Sequence, residues 1–538
     1  MASLHITTFR GVNKKLKPRL IPDANATSAI NMRMTSGDLS PWRVPLTVAS
    51  APGGTLGLYR MGRDTPSDSN YWLTFTAYVD VIRGLVAADA TERTIYTGGG
   101  ATTPRWTDNT MALASTPYPT AWRILGVPGP STAPVIALNT DGPTTTKQDL
   151  LVVITFVNDK GEEGTISPVS NKLSVYPGAT IDVSSFPSVP SGAYGIAHYR
   201  IYVTNIGANS ASFAFAADAA LGSGTVTIDT ASVGAVLETI DYDMPPADGH
   251  SLTMCWNEFA AMATGKSVRF CAPALIYAWP SQYEMLIADT VVGMGTFDQT
   301  LLVLTTGQPT LITGQDPSAM QSQRVPLNEA CVSKPSIVSF GHATVWASPN
   351  GLMSMSNAGP VNLTGGIMKR EDWQALVPST IVGEQYLSYY LGSYNDGSGV
   401  KGFILDLDHP DGIVFLSAGY TAEHFDSLLG GTYVLSGTNI QKWDAGDTPM
   451  SATWTSKVFR QVDPTSFSWA RLVADSYGQT VRFYRDSSST AFFTKTVTSG
   501  APFRLPIGFS TSDWQVSIDT TVGVQALLLG DNVNEISG

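Results

Sequence analysis

The sequence predicts an all-β fold, a β-propeller carrying an inserted immunoglobulin- or fibronectin-III-like β-sandwich and few short helices. Two observations lead there. A strand-turn-strand phrase, two apolar runs across a turn containing Gly or Pro, returns at 301–313, 344–355, 403–415 and 433–443. Such spacing is close to the usual propeller period of about 40–50 residues. The composition agrees: 50 Gly, 33 Pro, 10% aromatic and only 14% charged residues over 538 positions make a turn-rich chain poor in long charged helices.

In chain order, 1–147 reads as an N-terminal segment that contributes a helix and the first propeller strands. A short strand is expected at 5–9. Asp23 is placed to cap a helix in which Ala26, Ile30 and Met34 share one face, ended by Gly37. Strands follow at 71–75 and 79–82. From Leu125 to Lys147 the chain is rich in Pro, Gly and Thr and lacks periodicity, which predicts a linker. The stretch 148–247 holds short strands at 150–156, 198–204, 212–215 and 225–229, the spacing of a sandwich, and leaves through Asp243-Met244-Pro245-Pro246. The main blades occupy 248–450, with one short helix at 370–376 stopped by Pro378. The remainder, 451–538, either closes the propeller or forms a small tip domain.

Charge and cysteine content narrow the function. A formal charge of −12 opposes sequence-independent gripping of a nucleic-acid backbone, though an acidic wall lets DNA slide past without sticking. The charge density lies well below the ~25% of an average free-standing protein, which points to an obligate assembly. Lys14, Lys15, Lys17 and Arg19 form the one basic cluster, read as a solvated or subunit-facing arm rather than a nucleic-acid contact. Cys255, Cys271 and Cys331 have neither zinc spacing nor a paired motif, as expected for folding in a reducing compartment. The first 20 residues lack an apolar targeting core, and no run approaches the ~18 apolar residues of a membrane span. The expectation is a protein made in the cytoplasm, without membrane insertion.

Catalytic and cofactor motifs are sparse. Gly265-Lys266-Ser267 lacks the upstream glycine of a phosphate loop, since Ala260 stands there. Gly293-Met294-Gly295-Thr296-Phe297-Asp298 starts like a dinucleotide fingerprint, fails at the third glycine and is read as a tight turn. His5, His198, His250, His342, His409 and His424 never pair at ligand spacing. Asp406, Asp408 and Asp411 form the densest acid group, but Pro410 breaks a calcium-loop pattern and Asp411-Gly412 is a natural hairpin turn. Ser348-Pro349-Asn350-Gly351 resembles a sialidase aspartate-box turn with Asn in place of Asp, a structural feature even there. Trp346, Trp373 and Trp443 are assigned to core packing. No catalytic, cofactor-binding or metal residue is nominated, and no enzyme activity or cofactor is expected.

Several phrases together resemble the tail nozzle proteins of short-tailed bacteriophages (podoviruses), which form the distal tail tube. They are Pro22-Asp23-Ala24-Asn25-Ala26-Thr27-Ser28-Ala29-Ile30-Asn31, Ser36-Gly37-Asp38-Leu39-Ser40-Pro41-Trp42-Arg43-Val44-Pro45, Val79-Asp80-Val81-Ile82-Arg83-Gly84 with Glu92-Arg93-Thr94-Ile95-Tyr96-Thr97-Gly98, and Trp122-Arg123-Ile124-Leu125-Gly126-Val127-Pro128. Ala278-Trp279-Pro280-Ser281-Gln282-Tyr283 and Cys331-Val332-Ser333-Lys334 complete the series. The resemblance implies a structural virion protein of the viral tail, assembled in the host bacterial cytoplasm. It implies a homohexameric ring bounding and gating the DNA exit channel, docked to a head-tail adaptor and to tail fibres or spikes, with genomic DNA passing through the lumen. The alternative kept open is a propeller glycosidase or glycan-binding adhesion module of the virion.

Overall fold

The computed structural model describes residues 3–33, 36–62, 67–86, 88–143, 146–206 and 211–537. Strands hold 46% of the chain and helices 5%. The hairpins read from the sequence are all present; those at 301–313, 344–355 and 433–443 belong to four-stranded antiparallel sheets, and that at 403–415 to a ten-stranded sheet that continues through Ala26–Ile30 into the strands from Ala452 onward. Blade 1 is Gly57–Arg60 and Trp72–Phe75, with Tyr118 hydrogen-bonded along its edge. Blade 2 comprises Val79–Arg83, Thr94–Gly98, Arg105–Thr107 and Arg123–Ile124. Blade 3 runs from His250–Met254 to Glu284–Leu286, blade 4 from Val291–Phe297 to Gln321–Arg324, and blade 5 from Val338–Ser339 to Gly359–Asn362. Blade 6 runs from Val382–Tyr386 to Ile413–Leu416. Blade 7 contains Glu423–Asp426, Gly431–Ser436 and Asn439–Lys442, and its fourth strand is Leu46–Ser50 from near the N-terminus.

The first strand of each blade lies against that of the next, from blade 1 through blade 7 and back to blade 1. These contacts close a seven-bladed ring, and the Leu46–Ser50 strand is its fastener. Closure matters because a ring of sheets leaves only short edges open to aggregation.

The strands after blade 7 form a second sandwich rather than a blade. One sheet is Ser3–Ile6, Val524–Gly530, Trp469–Ala474 and Phe503–Arg504, so both ends of the chain share it. The other contains Ala26–Ile30, Ala452–Ser456, Thr511–Thr520 and Thr480–Arg485. Its core of Phe9, Trp454, Leu472, Trp514 and Leu527 is continuous with blades 5 and 6 through Leu352, Trp373, Tyr390 and Phe403.

Three expectations are corrected. The helix from Asp23 is the strand Ala26–Ile30; Met34 lies outside the described residues. Tertiary contacts override the helical spacing there. Ala26 and Ala29 are buried, Asn25 donates to Gly11 and Asp411 carbonyls, and Asn31 turns the chain at φ 55° while bonding Ser417 and Ser451. Secondly, the stretch read as a linker contains Val135–Thr140, a strand of the inserted sandwich. Thirdly, Gly293 and Gly295 lie inside the first strand of blade 4, not in a turn. A Cβ on Gly293 would stand 2.3 Å from Ile337 Cδ1 and one on Gly295 2.6 Å from Thr344 Cγ2, so glycine allows blade 5 to approach.

The inserted sandwich leaves the propeller after blade 2 and returns before blade 3. Val135–Thr140, Thr180–Ser184 and Thr225–Asp229 face Val152–Asn158, Ile196–Ile206 and Ala211–Ala220 across a core of Ile136, Ile154, Phe156, Ile181 and Ile201. Val152–Asn158 is buried throughout; on its other face Val153 and its strand neighbour Tyr202 pack with Leu237 and Ile166, and Thr155 donates to Glu163. The turn after it is clamped to blade 2 by Arg93–Glu162, by Arg123–Asp159 at 2.5 Å and by Lys160–Asp108 at 3.0 Å. The short helix Arg370–Gln374 stands where expected, burying Trp373.

Candidate functional site in the propeller channel

The first strands of the blades line a central channel, and polar residues on them meet there. Asp80, from blade 2, receives a hydrogen bond from Thr97 Oγ1 at 3.0 Å and from the Ser251 amide of blade 3 at 3.0 Å. Lys334 enters from the segment before blade 5 and reaches Asp80 Oδ2 at 2.5 Å. Blades 2 and 5 stand three apart in a ring of seven, so this ion pair crosses the channel. Beside it lies a cavity of about 170 Å³, walled by Leu58, Val79, Pro335, Val382, Glu384 and Glu423. That volume holds roughly six waters at ~30 Å³ each. Duplex DNA, whose major groove alone is about 12 Å wide, does not thread it.

Two carboxyl groups face this cavity. Glu423 accepts a hydrogen bond from Ser393 Oγ at 2.7 Å through Oε1, while its buried Oε2 has no partner among the described residues. Burial pushes its carboxyl well above the usual range, against the Ser393 hydrogen bond, and the neighbouring Glu384 adds to the rise. Glu384 is raised too, by burial, although the Gln385 and Phe425 amides act to lower it. Cleavage of a glycosidic bond by a carboxyl pair needs one group protonated and the other ionised. Here burial drives both in the same direction.

Below the ordinary carboxylate range both folded and unfolded states hold the Glu423 proton. As pH rises above it the unfolded chain ionises while the native state resists, and stability is lost toward the raised native value. Glu423→Gln keeps the acceptor for Ser393 and removes this cost. It is expected to stabilise the protein by about 1–3 kcal/mol at pH 8 and by little at pH 4, read from urea midpoints. An equal shift at both pH values would contradict the assignment.

At the junction of blades 7 and 1, Arg60 Nε meets Asp426 Oδ2 at 2.5 Å, with 1% and 2% of the two side chains exposed. His424 lies against Tyr59 and Trp72; burial pushes its imidazole down to about 4, outweighing the Asp426 charge that raises it. An open groove of about 760 Å³ runs outside blade 1 between Ala51, Tyr71, Trp72 and Tyr118.

The residues singled out in the sequence lie elsewhere and are not gathered into one site. Gly265-Lys266-Ser267 is a hairpin turn with Lys266 Nζ on the Ala288 carbonyl. The 348–351 turn is held by Glu329, which accepts from Ser348 Oγ and Asn350 Nδ2. Asp406 is buried beneath its hairpin, and Asp411 pairs with Arg10 at 3.2 Å. Trp346, Trp373 and Trp443 are core residues. Among the described residues no group of three His, Cys, Asp or Glu is placed to hold a metal ion. Glu384 and Glu423 were invisible to motif reading because what unites them is the first-strand position in successive blades, not a short spacing.

No family model matches the chain, and no curated protein matches it. Solved structures similar to it include the AfRom2 CNH domain, at 9% identity over 71% of this chain and 98% of that one with a TM-score of 0.25. AztD from Citrobacter koseri is 12% identical over 70% and 99%, with a TM-score of 0.24. A glycoside hydrolase family 43 arabinoxylan arabinofuranohydrolase from Bacillus subtilis is 10% identical over 66% and 94%, with a TM-score of 0.19. Likenesses of this size assign no activity, and the propeller rests on the strand order and ring contacts above.

Proposed function

We propose that the chain is a structural subunit of a short phage tail, one of six copies forming a nozzle around the DNA exit channel. The observation that supports this is where the nozzle-like phrases fall. Asp80 and Lys334, from two of them, join across the propeller channel; Arg93 and Arg123, from two others, clamp the inserted sandwich. Asn25 and Asn31, from the first, tie the N-terminal segment to blade 6 and the terminal sandwich. Residues of the resemblance are thus joints of a three-part body, which is what a subunit under mechanical stress requires.

DNA does not run through a single propeller, because the ion pair crosses that channel. Its path lies between copies, where a chain of charge −12 repels phosphate and lets it slide. The adaptor would meet one rim of the ring and fibres or spikes its side. Immunogold labelling of virions with antibody against this chain tests the reading. A six-fold collar of label at the distal tail tube is expected; label confined to peripheral appendages, or absent from particles, would overturn it.

The adhesion reading has one observation behind it, the groove beside Tyr71 and Tyr118. Its volume falls within the ~300–1,000 Å³ of ligand pockets, and aromatic rings suit sugar stacking. Glycan binding by the full chain that Tyr118→Ala abolishes would favour that reading instead.

A further inference from the structure

The basic cluster of the N-terminal segment forms a strap whose presentation is unusual. Val12 and Asn13 are buried, Ile21 is buried, and every residue from 14 to 20 between them is exposed. The strap is nevertheless held in place. The amides of Lys14 and Lys15 donate to the Ile367 carbonyl at 2.7 and 3.0 Å, Leu20 N donates to Lys17 O at 2.8 Å, and Val458 N donates to Pro18 O at 3.1 Å. Leu16 and Leu20 are 47% and 53% exposed beside Lys15, Lys17 and Arg19, and none of these cations forms an ion pair with a described residue. A fixed backbone presenting apolar and cationic side chains lowers the ordering cost of docking.

A matching surface lies on the same chain. Between the inserted sandwich and blade 3, Val236 and Ile240 are 55% and 49% exposed among Glu238, Asp241 and Asp243. These carboxylates have no cationic partner among the described residues, and the Ser281 amide fixes Asp243 at 2.9 Å. The strap sits where the loop after blade 5 and the last strand of blade 6 meet the terminal sandwich, beside Ile367, Phe415 and Val458. The acidic segment sits between blades 2 and 3. The two are three blades apart in a ring of seven.

We propose that the strap at 14–20 is the docking surface for a second copy of this chain, seated on the acidic and apolar segment at 236–243. This rests on the ring reading above and names the surfaces that make the ring. Cations meet carboxylates, Leu16 and Leu20 meet Val236 and Ile240, and each copy offers both halves at separate places around its ring. Such a contact is heterologous, the kind that generates rings when its rotation closes.

Charge reversal of the full chain tests it by sedimentation velocity at low and high salt. One variant carries Lys15→Glu, Lys17→Glu and Arg19→Glu; the other carries Glu238→Lys and Asp241→Lys. All five positions are exposed, and circular dichroism checks that both variants fold. Each alone is expected to self-associate roughly tenfold or more weakly than the parent chain, and the effect shrinks in high salt. Mixing the two pairs each reversed strap with a reversed segment and restores association, in alternating order. Association of the parent chain that neither reversal weakens would overturn this docking and leave the ring standing. A parent chain that stays monomeric at high concentration would overturn both. Retention of duplex DNA that the strap reversal abolishes while self-association persists would assign the strap to nucleic acid and overturn the proposal.

Discussion

Replacing Arg60 with Met is expected to destabilise the protein by about 3–5 kcal/mol, because it leaves a buried carboxylate without its cation. Arg60 belongs to blade 1 and Asp426 to blade 7, the two blades that the fastening strand must bring together. Beyond the ion pair, Arg60 Nη1 donates to the Ser67 carbonyl at 3.2 Å, and Asp426 accepts from the Leu428 and Leu429 amides. Burial acts to raise the Asp426 carboxyl, but Arg60 and those amides outweigh it and hold it below the ordinary value. A lowered carboxylate contributes stability above its unfolded value and loses it as pH falls through the native one. In Arg60→Met burial is left to raise that carboxyl, so the cost is largest at neutral pH and above and shrinks as falling pH protonates Asp426 in the variant, from above the ordinary carboxylate range downward. Urea unfolding at pH 7 measures it. The double change Arg60→Met with Asp426→Leu should recover much of the loss, since an apolar pair of similar volume has no desolvation cost. A single variant within about 1 kcal/mol of the parent would refute this account of the closure.

Gly412→Ala is the second large effect, expected at about 3 kcal/mol or more. A Cβ on Gly412 would lie 2.7 Å from the Gly11 Cα and carbonyl carbon, and one on Gly11 would lie 2.7 Å from the Gly412 carbonyl carbon. Both obstacles are backbone and cannot rotate away. The contact also carries the docking of the N-terminal segment, for Val12 N donates to Ile413 O at 2.7 Å and Asn25 Nδ2 to Asp411 O at 2.8 Å. Loss of stability should come with faster hydrogen exchange at the Lys14 and Lys15 amides. Gly224→Ala, where nothing lies within 4 Å of an added Cβ, is the control and should change stability little. Equal effects at the two glycines would contradict the close approach.

What the sequence revealed followed from local signals. The hairpins of blades 4 to 7 pair adjacent apolar runs across short turns, so both the strands and their partners lie within one window. The all-buried run Val152–Asn158 and the long strand Ile196–Ile206 marked the inserted sandwich for the same reason. Elements whose partners lie far along the chain were illegible. Leu46–Ser50 has no buried residue, and only its pairing with Asn439–Lys442 makes it a strand. Val135–Thr140 buries Ile136 alone, so it shows no alternation. Ala26–Ile30 carries a register shift between Ala26 and Ser28, which breaks the two-residue period and leaves a helical spacing in its place. The channel was hidden more deeply, since Asp80 and Lys334 are 254 positions apart and Arg60 and Asp426 are 366 apart.

The most direct test of the nozzle reading is electron cryomicroscopy of the tail that contains this chain. The account predicts six copies around a lumen wide enough for duplex DNA, with every propeller axis displaced from that lumen and the 14–20 strap of each copy against the 236–243 segment of the next. DNA or lumen density running along the axis of a single propeller, or copies placed on separate appendages without a closed ring, would contradict it.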